Sequence, residues 1–113
     1  MFMEIGQYLN QRLQELGIQH IFGVPGDFNL SYLEQIEIDP KLEFIGNCNE
    51  LNAAYAADGY ARMKGIAAMV TTFGVGELSA VNGIAGSYAE RVPVIQITGA
   101  PTRAVENAGK YVH

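Results

Sequence analysis

Two carboxylates in this chain stand where an acid could do chemistry. Glu50 closes the run Asn47-Cys48-Asn49-Glu50 and opens an alanine-rich stretch, Leu51-Asn52-Ala53-Ala54-Tyr55-Ala56-Ala57-Asp58. It therefore falls between an apolar strand pattern and a helix, the junction where parallel α/β proteins place their chemistry. Asp27 follows Pro25-Gly26 at the end of an earlier strand pattern. Each has an ordinary explanation. An acid in the first turn of a helix is favoured by the macrodipole by about 0.3–1 kcal/mol, and Asp after Pro-Gly is a common turn residue, here followed by Asn29 as a helix cap. Two features weaken the ordinary reading of Glu50. Asn47 and Asn49 already offer caps, and the small Ala and Gly residues nearby would let a flat ring approach the backbone.

Other motifs exclude more than they assign. Gly74-Val75-Gly76-Glu77-Leu78-Ser79 has the strand, glycine turn and helix order of a dinucleotide site, but the strand that follows ends in Thr98-Gly99 without the acid that would hold a ribose. No phosphate-binding Gly-x-x-x-x-Gly-Lys loop, His-Glu-x-x-His pair or Gly-x-Ser-x-Gly elbow occurs. The single cysteine, Cys48, has no partner for an internal disulfide and no His at metal-ligand spacing, so a reducing cytoplasm is expected and no metal ligand is assigned. His20 reads as an ordinary residue at a strand start. His113 is the last residue, and spacing alone gives it no role.

The elements that must position these residues follow from periodicity. Ile5, Tyr8, Leu9, Leu13 and Leu16 recur at helical spacing, with Gly17 as a C-terminal cap. Residues 20–24 read as a buried strand, 29–36 as a helix and 42–46 as a second strand. The segment 50–64 is a helix with Asp58 and Arg62 paired at i,i+4 and Gly65 as its cap. Residues 67–72 form the third strand, about 77–90 a helix whose Leu78, Val81, Ile84, Ala85 and Tyr88 are expected to face the sheet, and 93–98 the fourth strand. Gly83 and Gly86 inside that helix are expected to mark close helix packing. The segment 102–113 is polar and carries no assignment. Strands and helices alternate over short connections, which predicts a three-layer α/β/α domain with a parallel sheet. In such sheets ligands sit beyond the carboxyl ends of the strands. Those ends carry Pro25-Gly26-Asp27, the segment 47–50, the segment 72–76 and Thr98-Gly99-Ala100-Pro101.

Composition agrees with a folded domain: of 113 residues 49% are hydrophobic and 17% charged, too apolar for disorder. The net charge of −5, with Lys and Arg scattered singly, gives no footprint for nucleic acid. The N-terminal residues lead straight into an amphipathic pattern, and no run of eighteen apolar residues occurs, so neither a signal peptide nor a membrane span is expected.

Three segments carry a resemblance to a known family: Phe22-Gly23-Val24-Pro25-Gly26-Asp27-Phe28-Asn29-Leu30, the Glu50 segment continued as Gly59-Tyr60-Ala61-Arg62, and the stretch from Thr71-Thr72-Phe73-Gly74-Val75-Gly76 through Ser87-Tyr88-Ala89-Glu90. Together they resemble the amino-terminal pyrimidine-binding domain of the thiamine-diphosphate-dependent 2-keto acid decarboxylases, the pyruvate and indolepyruvate decarboxylase group. The resemblance implies that residues 1–113 are the N-terminal part of that domain, an incomplete thiamine-diphosphate-binding fold without the middle and diphosphate-binding domains. It implies that Glu50 hydrogen-bonds the pyrimidine ring and thereby activates the thiazolium carbon for attack on a 2-keto acid, which leaves as carbon dioxide and an aldehyde. Asp27 and His113 would match the family's active-site aspartate and the first of its paired histidines, and Pro25, Thr72 and Val75 would line the pyrimidine pocket. The cofactors implied are thiamine diphosphate and magnesium, the magnesium ligands lying outside this chain. The implied partners are the diphosphate-binding domain of another subunit, in a homo-oligomer (dimer or tetramer), and the 2-keto acid. A noncatalytic association module, or a thiamine enzyme resembling acetolactate synthase or benzoylformate decarboxylase, are the alternatives. Pro25-Gly26-Asp27 together with His113 favours the pyruvate and indolepyruvate group over the latter two.

Overall fold

A computed structural model of the chain describes residues 2–110. The order is α1 (Ile5–Glu15), β1 (His20–Gly23), α2 (Leu30–Glu37), β2 (Glu43–Gly46), α3 (Glu50–Lys64), β3 (Ala67–Thr72), α4 (Val75–Ala89), β4 (Val94–Gly99) and α5 (Arg103–Asn107). The strands form one parallel sheet in the order β2-β1-β3-β4, with Phe22 of β1 opposite both Ile45 of β2 and Met69 of β3. Every residue of β3 is buried, as a parallel strand covered on both faces requires.

The alternation of side chains divides the core in two. Ile21, Ala68 and Val70 pack with Leu13, Ile18, Leu33, Ile36 and Leu42 in the layer of α1 and α2. Phe22, Ala67 and Met69 pack with Ala53, Ala54, Ala57, Ala61 and Ala80 in the layer of α3 and α4. The expected three-layer α/β/α domain is what forms. From β1 the chain moves to one side, to β2, and afterwards returns to the other, to β3 and β4. Right-handed crossovers then place α2 on one face and α3 and α4 on the other. The direction reverses between β1 and β3, which opens a crevice at their carboxyl ends.

Local chemistry sets the helix ends. Asn49 caps α3, its Oδ1 accepting from the Asn52 backbone N–H at 2.9 Å. Gly65 ends the helix with φ of 94°, a left-handed conformation that only glycine adopts without strain. The Asp58 and Arg62 pair forms as expected, with Arg62 Nε donating to Asp58 Oδ1 at 2.5 Å.

Helix α4 corrects the sequence reading. It begins at Val75, two residues early, and its buried residues are Gly76, Ala80, Gly83 and Ser87. Leu78, Val81 and Tyr88, expected against the sheet, are 68%, 49% and 86% exposed, and Ala85 is exposed as well. Only Ile84 of that stripe is partly buried and packs on the core. The cause is the short distance between α3 and α4, which admits small side chains and turns the large ones outward. A Cβ on Gly83 would lie 2.6 Å from the Cβ of Ala54, whereas one on Gly86 would meet nothing within 4 Å. Gly83 marks close packing and Gly86 does not. The short α5 falls in the segment left unassigned, and none of its residues is buried, so it has no periodicity to detect.

Candidate functional site

The site is built at the carboxyl edge of the sheet from three loops. After β1, the segment Val24-Pro25-Gly26-Asp27 is braced from beneath by Asn29, which is 1% exposed. Its Oδ1 accepts from the Gly26 N–H at 2.8 Å and its Nδ2 donates to the Val24 carbonyl at 3.1 Å. Asn29 stands at the cap position of α2 as expected, but it makes no capping bond to the helix and holds the loop instead. After β2, Asn47 Oδ1 accepts from the Gly23 N–H at 3.1 Å and fixes the second loop to the first. Asn49 alone is the cap, so the two asparagines expected to share that task divide the work. After β3, Gly74 takes φ of 64°, and its N–H donates to Glu77 Oε1 at 2.9 Å. Phe28 and Phe73 join the first and third loops edge to face, with ring centroids 5.2 Å apart.

Thr72 is the point where these loops meet. A Cβ on Gly26 would lie 2.9 Å from Thr72 Cβ, and one on Gly76 would lie 2.9 Å from Thr72 Cγ2 and 3.3 Å from Glu50 Oε1. The threonine is thus held between two glycines, and the Glu50 carboxylate lies across the second of them. Thr72 is 7% exposed, and its Oγ1 is buried without a hydrogen-bond partner. An unsatisfied buried hydroxyl costs about 1–3 kcal/mol. The helix starts of α3 and α4 meet at the same place, each with an acid in its first turn, Glu50 and Glu77.

Of the residues singled out from sequence, Glu50 and Thr72 are brought together around Gly76. Pro25 and Asp27 lie in the Gly26 loop and are exposed, and Val75, next to Gly76, is 60% exposed. His113 lies outside the described residues. Cys48 is exposed beside the site. Sequence reasoning missed Gly76 as the wall against Glu50 and Asn47 as the tie between loops. The second glycine of a Gly-x-Gly turn, just inside a helix, was the available signal for Gly76.

Other polar groups lie away from this edge. His20, at the opposite end of β1, is 3.0 Å from the Tyr60 hydroxyl and 3.5 Å from Glu43 Oε2. Between α1 and α2, burial and the charge of Asp39 push the Tyr32 hydroxyl up to about 12. A cleft of about 330 Å³ on the α1 and α2 face reaches the carboxyl edge of the sheet, lined by Ile5, Leu9, Tyr32, Phe28, Asn29 and Gly99.

The carboxylate of Glu50 beside bare glycine backbone leaves room for a ligand that can hydrogen-bond to it. One carboxylate and one uncommitted hydroxyl face a wall of glycine backbone, and among the described residues no group of three or more His, Cys, Asp or Glu side chains converges. No helix of the described residues is long and apolar enough to cross a membrane.

Comparison with known proteins gives the family of the chain. An alpha-keto-acid decarboxylase of Mycobacterium avium is 57% identical over 96% of this chain, and one of Mycobacterium leprae 58% identical over 96%. A Schizosaccharomyces pombe protein provisionally named a pyruvate decarboxylase is 60% identical over 96% of this chain. The chain spans about a fifth of these relatives, 19% of each. An X-ray structure from Mycobacterium smegmatis, provisionally described as a thiamin diphosphate-dependent enzyme, superposes with a TM-score of 0.88 over 97% of this chain and 21% of that one, at 23% identity, which speaks to the fold alone. The family described as thiamine pyrophosphate enzyme, N-terminal TPP binding domain, matches residues 3–112, and the chain belongs to that family.

Proposed function

We propose that this chain supplies the cofactor-activating carboxylate, Glu50, of a thiamine-diphosphate-dependent decarboxylase that converts a 2-keto acid to an aldehyde and carbon dioxide. The observation that carries the reading is the placement of Glu50 Oε1 against the bare backbone of Gly76, where the other neighbour is the methyl group of Thr72, whose unpartnered hydroxyl lies toward Gly26. Bound thiamine diphosphate supplies the nucleophilic carbon and the electron sink for decarboxylation. The residues of this chain hold it and manage protons. Glu50 shares a proton with a nitrogen of the pyrimidine ring, Thr72 offers its free hydroxyl, and Gly26 and Gly76 leave room for the ring. Pro25 and Val75 border it on the two loops. Asp27 and His113 are assigned to proton transfer on the substrate. The names of the relatives support a 2-keto acid as substrate.

Magnesium and the diphosphate are assigned to a diphosphate-binding domain of a partner subunit in a homo-oligomer. The exposed Leu78, Val81 and Tyr88 stripe of α4, which starts from Val75 at the site, is the surface such a partner would cover. Alone, the chain should show no magnesium-dependent affinity for thiamine diphosphate in calorimetric titration. The test of function is to put this chain in place of the matching segment of the Mycobacterium avium alpha-keto-acid decarboxylase. Aldehyde formation from a 2-keto acid, abolished by Glu50→Gln, supports the reading. Retained activity in Glu50→Gln refutes it.

A further inference from the structure

Helices α3 and α4 both return antiparallel to the sheet on the same face, so they run parallel to each other, and their contacts form a single seam. At its C-terminal end the seam is pinned by side chains. Ser87 Oγ donates to Asp58 Oδ2 at 2.7 Å, and Arg62 donates from Nε to Asp58 and from its terminal nitrogen to Glu90 Oε2 at 2.5 Å. At its middle, Gly83 faces Ala54 so closely that an added Cβ would sit 2.6 Å from the Ala54 Cβ. At its N-terminal end, Glu50 faces Gly76. Glu50, Ala54 and Asp58 are successive i,i+4 positions of α3, and Gly76, Gly83 and Ser87 lie on the one buried face of α4. The same seam therefore connects the pinned end to the site.

We propose that Gly83 is a positioning residue for Glu50: the close approach it permits at Ala54 sets how near the Glu50 carboxylate lies to Gly76. The bonds at Asp58, Ser87 and Glu90 resist opening of the lower end. A wedge at residue 83 is then relieved by rotation about that end, which moves the helix starts apart where Glu50 meets Gly76 by packing. The role assigned to Glu50 rests on the function proposed above, but the distance from Glu50 to Gly76 does not.

The experiment is NMR on the 113-residue chain, reading the nuclear Overhauser contact between the Gly76 α protons and the Glu50 γ protons. Gly83→Ala should abolish that contact. Gly86→Ala, three residues along the same helix where an added Cβ meets nothing within 4 Å, should leave it at wild-type intensity. The double variant Ala54→Gly with Gly83→Ala exchanges the two sizes across the seam and should restore it, even where Gly83→Ala alone does not fold. A Gly83→Ala chain that keeps the contact, or a folded exchange variant that lacks it, overturns the proposal. Neither result depends on whether Glu50 acts on a cofactor, which the chimeric enzyme above reads separately.

Discussion

Oε1 of Glu50 lies 3.3 Å from the point at which a side chain on residue 76 would begin, and residue 76 is glycine. The same point is 2.9 Å from Thr72 Cγ2, closer than side chains tolerate. Any residue other than glycine would therefore displace either the threonine or the glutamate.

Gly76→Ala is expected to destabilise the chain by about 1–3 kcal/mol, the ordinary range for overpacking a tight contact, and to remove decarboxylation by the chimeric enzyme. Urea denaturation of the chain and aldehyde assay of the chimera check both effects. A stable variant with full activity would show that the site needs no bare wall beside Glu50.

Thr72→Val should behave in the opposite way in the chain alone. The buried Oγ1 has no partner, so replacing it with a methyl group should leave stability unchanged or raise it by about 1 kcal/mol. In the chimera the same change should weaken affinity for thiamine diphosphate. A clear loss of stability in the isolated chain would mean that the hydroxyl is already satisfied within the fold.

The pinned end of the α3 and α4 seam predicts a pH dependence. Asp58's carboxyl is held below its ordinary value of 3.8, chiefly by the hydrogen bond from Arg62 and next by that from Ser87. A lowered folded-state value means a stabilising contribution that is present above 3.8 and lost as pH falls through the folded value beneath it. Asp58→Asn should therefore shrink the difference in urea midpoint between about pH 6 and about pH 2. An unchanged difference would assign the acid sensitivity to other carboxylates.

Gly86→Ala should stabilise the chain by about 1 kcal/mol through helix propensity alone, since an added Cβ there meets open space. Thermal melts of this variant and of Gly83→Ala should move in opposite directions. A shared direction would mean that propensity outweighs the contact with Ala54.

Much of this was legible in the sequence, for reasons that differ by element. β3 and α3 emerge at their observed limits because a continuous apolar run and a glycine stop leave little choice. Glu50 and Thr72 were legible as strand-end residues because a parallel sheet sends its ligands to that edge. What failed was the facing of α4, where Leu78, Val81 and Tyr88 suggest a core stripe that Gly76, Ala80, Gly83 and Ser87 occupy instead. Hydrophobicity ranks the large residues first, whereas a close helix pair selects the small ones, and size is invisible to a pattern that scores only polarity. The bracing roles of Asn29 and Asn47 were missed because both residues look like caps until the loops they hold are brought side by side.

The central claim is that Glu50 activates the cofactor, and exchange of the thiazolium proton tests it most directly. In the chimeric decarboxylase bearing this chain, Glu50→Gln preserves the size of the side chain and removes its proton exchange. Quenched-flow NMR should find exchange at the thiazolium carbon of bound thiamine diphosphate slowed about a hundred- to ten-thousand-fold, while Asp27→Asn leaves it unchanged and slows later steps. Exchange at the wild-type rate in Glu50→Gln would contradict the account and leave Glu50 as an ordinary acid at the start of α3.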